Sequence, residues 1–277
     1  NSEFKNSPHL IALDIGPLGK LLEPLGDLSF NEAVNLFSET IKIGLQNGAD
    51  LILIETMNDS YETKAALLAA KENSDLPVFV SNAYSEDGKL MTGASPAAMV
   101  ALLEGMHADA IGVNCSLGPK QLASVVDEYL KYASVPVLLK PNAGLPKDDG
   151  GFDLTVEEFA SFIPEALKNG IGILGGCCGT NKEYIKKIKE CTENTPLTYP
   201  EALDFDFENT VSNTRKFAKV IENDMPAPIG VSDYLYEDVE SQAEEYGYGF
   251  VRLEKGECDI LNEQLAYITA PLAFCGD

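Results

Sequence analysis

From Leu10 to about Lys189 the chain repeats one pattern: a short apolar run, a polar or glycine-rich turn, then a stretch with apolar residues at helical spacing. The apolar runs are "LIALDIG", "ADLILIET", "PVFVSNAY", "ADAIGVNC", "VPVLLKPNAG" and "GIGILGGCC". Helical spacing marks "SFNEAVNLFSETIKIGLQNG", "DSYETKAALLAAKENS", "SPAAMVALLEGMH", "KQLASVVDEYLKYAS" and "TVEEFASFIPEALKNG". Ser29 followed by Glu32 predicts a capping box at the start of the first helix. Nearly continuous apolar strands that alternate with helices predict a parallel sheet covered on its faces. The strands recur at roughly 30 residues, the length of one βα unit.

Six such units suit an open doubly wound sheet or most of a (β/α)8 barrel, and the strand ends separate the two. Each run finishes in polar or special residues: Asp14, Glu55-Thr56, Ser81-Asn82, Asn114-Cys115, Asn142 and Cys177-Cys178. In a barrel all C-terminal strand ends converge on one mouth. Chemistry-bearing residues at the same end of six strands therefore favour the barrel. From about Pro196 the rhythm stops. Residues 197–277 hold 17 acidic and 5 basic side chains, with a helix-like "SDYLYEDVESQAEEYG" and a strand-like "GFVRLE". Two regions are expected, 1–195 as the barrel and 196–277 as an acidic α+β extension.

Charge narrows the partners. The 20 Lys+Arg and 44 Asp+Glu give a formal net charge of -24, which opposes binding to nucleic acid or an anionic membrane. No apolar stretch approaches the length of a membrane span. The polar "NSEFKNSPHL" lacks the apolar core of a signal peptide, so the cytoplasm is the expected compartment. Six cysteines in a reducing compartment point to metal ligation or catalysis before disulfides.

Three cysteines stand at strand ends. Cys115 closes "AIGVNC", and Cys177 and Cys178 close "GILGGCC" two units later. Adjacent cysteines on a strand would point to opposite faces, so one shared ligand requires a bend, which Gly175, Gly176 and Gly179 permit. Three thiolates with an open fourth position match a catalytic zinc site, and cadmium or cobalt suits the same donors. The same residues also suit a tight βα turn packed with small side chains, or a vicinal disulfide. Cys191, Cys258 and Cys275 have no such setting and read as small buried hydrophobes. His107, in "EGMHADA", reads as a surface residue at a helix end.

"GVNCSLGP", then "KPNAG", then "GGCCGT" resemble the zinc-dependent homocysteine S-methyltransferases. "DIGPLGKLLEPLGDLSFNEA" is similar to the homocysteine-binding domain of cobalamin-dependent methionine synthases. The resemblance runs from about Ile11 to Lys189. It implies a (β/α)8 TIM-type barrel, here lacking its first two βα units, with zinc held by Cys115, Cys177 and Cys178. It implies transfer of a methyl group to the homocysteine thiol, forming methionine, with methylcobalamin supplied by a corrinoid-binding domain or protein as donor. By the same resemblance, Glu55 binds the homocysteine ammonium and Asn142 serves as a displaceable fourth zinc ligand, while Asp14 shapes the mouth. From the residues alone, Glu55 also suits a carboxylate pairing inside the barrel, and Asn142 a turn cap before Gly144. The same zinc chemistry with S-methylmethionine or a betaine as donor is the near alternative. A barrel remnant that acts as an assembly or binding subunit is the non-catalytic one.

Overall fold

The computed structural model describes residues 9–147, 150–193, 195, 210–212 and 217–219. The chain divides into two compact units, Asn1–Asp204 and Phe205–Asp277. The first unit runs β1 (Ala12–Ile15), α1 (Phe30–Gln46), β2 (Leu51–Met57), α2 (Ser60–Asn73), β3 (Val78–Asn82), α3 (Pro96–Gly105), β4 (Ala110–Asn114), α4 (Pro119–Tyr132) and β5 (Val137–Lys140). It continues through α5 (Val156–Ala160), α6 (Ile163–Lys168), β6 (Ile171–Leu174) and α7 (Lys182–Glu193). In the second unit β7 (Thr210–Ser212) pairs antiparallel with β8 (Phe217–Lys219). The rest of the acidic extension lies outside the described residues.

The six strands form one parallel sheet in the order β1-β2-β3-β4-β5-β6. Spatial order equals chain order. A doubly wound sheet reverses direction at a switch point, and no reversal occurs here. The architecture is that of a (β/α)8 barrel open along one side: among the described residues β1 pairs only with β2, and β6 only with β5.

Period-two alternation assigns the faces. Ile52, Ile54, Val78, Val80, Ile111, Val113, Val137 and Leu139 are buried in the main apolar core under the helices. The opposite, concave face carries Asp14, Glu55, Ser81, Asn114 and Lys140 toward the C-terminal ends of their strands, and Asp14, on edge strand β1, is exposed. β2 bulges between Ile54 and Met57, where it carries Glu55 and Thr56 to the rim.

Local sequence accounts for the helices. Ser29 Oγ accepts the Glu32 N–H at 3.3 Å and the Glu32 carboxylate accepts the Ser29 N–H at 3.2 Å, the capping box expected of α1. Ala33, Phe37 and Ile41, spaced four apart, bury one stripe of that helix. Alanines 65, 66, 69 and 70 are fully buried on α2, and their small side chains let it lie close against its neighbours. "TVEEFASFIPEALKNG", read above as one helix, forms α5 and α6 instead. Pro164 sits in the first turn of α6, where it has no N–H to donate back to the carbonyl of Ala160. No helix among the described residues is long and apolar enough to cross a membrane.

Candidate metal and methyl-transfer site

The C-terminal ends of β4 and β6 bring the expected cysteines together. The sulfurs of Cys115, Cys177 and Cys178 all lie within 4.8 Å of one another, and Cys115 Sγ is 3.6 Å from Cys178 Sγ. Zinc–thiolate bonds of about 2.3 Å in a tetrahedron place sulfurs about 3.8 Å apart. The cluster therefore fits one tetrahedral ion held through three thiolates. Cys178 is exposed, while Cys115 and Cys177 are half-buried, so the cluster is open to an incoming molecule on one side.

Each cysteine has its own support. Cys115 and Ser116 both adopt left-handed backbone, at φ 59 and 61, which turns the chain back at the rim of β4. The Cys115 N–H donates to the Lys140 carbonyl at 3.1 Å. On the other side, the Cys177 N–H donates to the Pro141 carbonyl at 2.9 Å, and the Cys178 carbonyl accepts the Ala143 N–H at 2.9 Å. Thr180 closes the turn, its N–H and hydroxyl both donating to the Cys177 carbonyl at 3.2 and 2.7 Å. Gly179 holds φ +78, and a Cβ there would run into the Phe152 ring. The glycines of "GGCCGT" thus do what the bend requires.

The thiols do not ionise alike. Cys115 is pulled down to about 5, chiefly by its hydrogen bond with Cys177, helped by the Ser116 N–H and by Cys178 and Asn142, and opposed by burial. Cys177 is pushed far up, first by that same hydrogen bond to Cys115 and then by burial. Cys178 is also raised, by burial first and by Cys115 next. One proton leaves the cluster readily, and the negative charge it leaves behind holds the other two. A divalent cation would reverse that penalty, so three thiols crowded in this way suit a metal ion.

Asn142 is buried beside the cluster. Its Oδ1 accepts the Cys178 N–H at 3.0 Å, so the oxygen expected to reach a metal also fixes the Cys178 backbone. Glu55 lies on the concave face and its carboxylate pairs with the Lys140 ammonium, both side chains about one-fifth exposed. Asp14 faces the same pair. Its carboxyl is raised by burial and then by the Glu55 charge, with Lys140 acting in the opposite sense. His107 is exposed just beyond α3, at φ 61, away from the strand ends. Cys191 packs beside the small cluster of Phe159, Ile163 and Ile188; Cys258 and Cys275 lie outside the described residues.

The sequence profile of the homocysteine S-methyltransferase family matches residues 1–192. The chain belongs to that family. Among solved structures, the homocysteine methyltransferase MmuM of Escherichia coli in its apo form is similar at 22% identity and a TM-score of 0.57, over 67% of this chain and 64% of that one. The same protein in its metallated form is similar at 23% identity and a TM-score of 0.48, over 57% of this chain and 51% of that one. The chain thus spans less than two thirds of the length of this relative. At such identity the likeness is one of fold.

Three site residues went unread in the sequence. Lys140 stands two places before Asn142 in "KPNAG", and its inward direction follows from strand alternation. Asn114 and Ser81 were visible as polar strand ends without a task. A cavity of about 420 Å³ also opens beside the cluster, where Thr56, Tyr84, Glu86, Met91 and Ser116 line it at the ends of β2, β3 and β4.

Proposed function

We propose that the Cys115–Cys177–Cys178 cluster holds a zinc ion at which the homocysteine thiol accepts a methyl group to form methionine. The observation that carries this reading is the convergence of three sulfurs within 4.8 Å inside the region matched by the homocysteine S-methyltransferase family. Bound zinc would supply the positive charge that turns a neutral thiol into a thiolate at neutral pH.

The reaction is a displacement at carbon. The homocysteine sulfur forms the new S–CH3 bond with its own electron pair, and the donor–CH3 bond breaks with its pair left on the donor. No general base is required once the thiol proton is gone, which suits a rim with no histidine among the described residues. The chain's own groups bind and orient. Glu55 takes the substrate ammonium in this reading, exchanging its bond with Lys140 for one with the substrate. Asn142 sets the direction of Cys178 through its backbone N–H, and its oxygen would be the fourth ligand to the metal before substrate arrives.

The donor in this reading is methylcobalamin carried by a corrinoid-binding partner. The resemblance of "DIGPLGKLLEPLGDLSFNEA" to the methionine synthase branch supports that choice. Residues 1–195 carry the chemistry and 196–277 form a separate extension. A reducing cytoplasm suits a cluster that must stay as thiols.

Zinc-loaded protein incubated with homocysteine and methylcobalamin is expected to release methionine, and Cys115→Ala to bring that to background. Methionine from S-methylmethionine or betaine but not from methylcobalamin would move the donor to the alternative branch. Metal-loaded protein that neither binds homocysteine nor methylates it with any donor would overturn the reading and leave a non-catalytic barrel segment.

A further inference from the structure

We infer that Asn114 is a positioning residue that joins β2, β3 and β4 to the sulfur of Cys177, fixing the thiol geometry and withdrawing electron density from that sulfur. The inference rests on the metal reading of the cluster.

The Asn114 side chain is fully buried at the C-terminal end of β4, one residue before Cys115. Its Oδ1 accepts the Thr56 N–H at 2.8 Å and the Ser81 hydroxyl at 2.7 Å. Its Nδ2 donates to Thr56 Oγ1 at 2.7 Å and to Cys177 Sγ at 3.8 Å. A carboxamide has two accepting and two donating positions, and here all four are used. Turning the amide over would set its N–H groups against the Thr56 N–H, a donor that cannot reverse, so that backbone bond fixes which end faces the sulfur.

Those four bonds reach β2, β3 and the turn after β6 from one side chain on β4. They also hold backbone that would otherwise relax. Thr56 sits at φ 62, a conformation that β-branched residues avoid, and the Asn114 oxygen accepts its N–H there. The left-handed pair Cys115–Ser116 follows directly in sequence. Residues kept in such conformations persist where their surroundings over-determine them, and Asn114 bonds both the N–H and the hydroxyl of Thr56.

Its effect on the sulfur follows from the donor. An N–H directed at a thiolate stabilises the sulfur lone pairs, and hydrogen bonds to first ligands tune metal affinity and electronics. Cys115 and Cys178 accept from other groups. Asn114 is the carboxamide that serves Cys177, as Asn142 serves Cys115.

Cobalt substitution reads this directly, because the energy of the sulfur-to-cobalt charge-transfer band falls as the thiolate becomes more electron-rich. The wild-type full chain, Asn114→Asp, Asn114→Ala and Ser81→Ala would each be loaded with Co(II) and their near-ultraviolet spectra recorded. Zinc dissociation constants would be measured by chelator competition. Asn114→Asp keeps both accepted bonds, loses the donors and turns a carboxylate oxygen toward the sulfur, so it reads the same contact even where Asn114→Ala fails to fold. Ser81→Ala loosens the same carboxamide and leaves the N–H···S bond.

The expected result is a band shifted to longer wavelength in both Asn114 variants and unmoved in Ser81→Ala. Zinc dissociation constants should rise roughly ten- to a hundredfold in the Asn114 variants only. An unmoved band in Asn114→Asp, or an equal shift in Ser81→Ala, would overturn the role at the sulfur and leave Asn114 as packing. A wild-type chain that takes up no Co(II) would sink the metal reading, and this inference with it.

Discussion

The two sides of the thiol cluster are built differently. Cys115 ends a central strand, flanked by β3 and β5, and behind it Asn114 ties three strand ends together with side-chain bonds. Cys177 and Cys178 follow an edge strand, and what holds them is mostly loop backbone, the bonds to Pro141, Ala143 and Thr180. One side is a buried polar knot and the other a glycine turn. A site assembled this way has one rigid jaw and one that depends on turn geometry, so a shared ion should matter most to the second.

The largest effect expected from this contrast is on the turn. Gly179→Ala forces a side chain into left-handed backbone and into the Phe152 ring, and should cost about 2–4 kcal/mol. Urea denaturation measures the loss, and zinc uptake should fall with it. Chelating the metal should come next. Hydrogen exchange is expected to speed up at the amides of residues 175–180 well before those of 110–114, because only the first group relies on loop bonds. Equal acceleration on both sides would break the contrast.

On the concave face, Lys140→Met leaves the Glu55 carboxylate without its partner. Because both groups are about one-fifth exposed, the expected cost is about 1–2 kcal/mol, below that of a fully buried pair. Glu55→Gln should weaken homocysteine binding by roughly tenfold or more, the worth of a charge-assisted bond; an unchanged titration would remove Glu55 from the substrate site.

The smallest effect concerns Asp14. Its carboxyl is raised in the folded chain, by burial first and the Glu55 charge second, with Lys140 opposing. The folded state therefore holds that proton more tightly than the unfolded state does. Wild-type stability should fall as pH rises from the unfolded aspartate value through the raised folded one. Asp14→Asn removes this component, so its stability relative to wild type should climb over the same window. Denaturation across a pH series measures the difference.

The fold was legible because the strands are unbroken apolar runs with polar ends, and a parallel sheet covered by helices produces that pattern. The thiol cluster was legible for the same reason: strand ends of one barrel converge, which brings Cys115 within reach of Cys177-Cys178, although a tight turn or a vicinal disulfide suited the same residues. The break between α5 and α6 could have been read from Pro164. Other features could not. The Glu55–Lys140 pair joins strands 85 residues apart, and nothing local marks the two as partners. Asn114 shows in sequence only as a polar residue before a cysteine. Its role depends on left-handed backbone at Thr56, which a β-branched residue argues against until its partners are seen.

Metal content tests the central claim most directly. Protein purified without added metal would be analysed by mass spectrometry, alongside Cys115→Ala, Cys177→Ala and Cys178→Ala. The account expects about one zinc per wild-type chain and a loss of it in each variant, since three thiolates and one exchangeable position make the site. A chain without metal, or metal retained through all three substitutions, would contradict it.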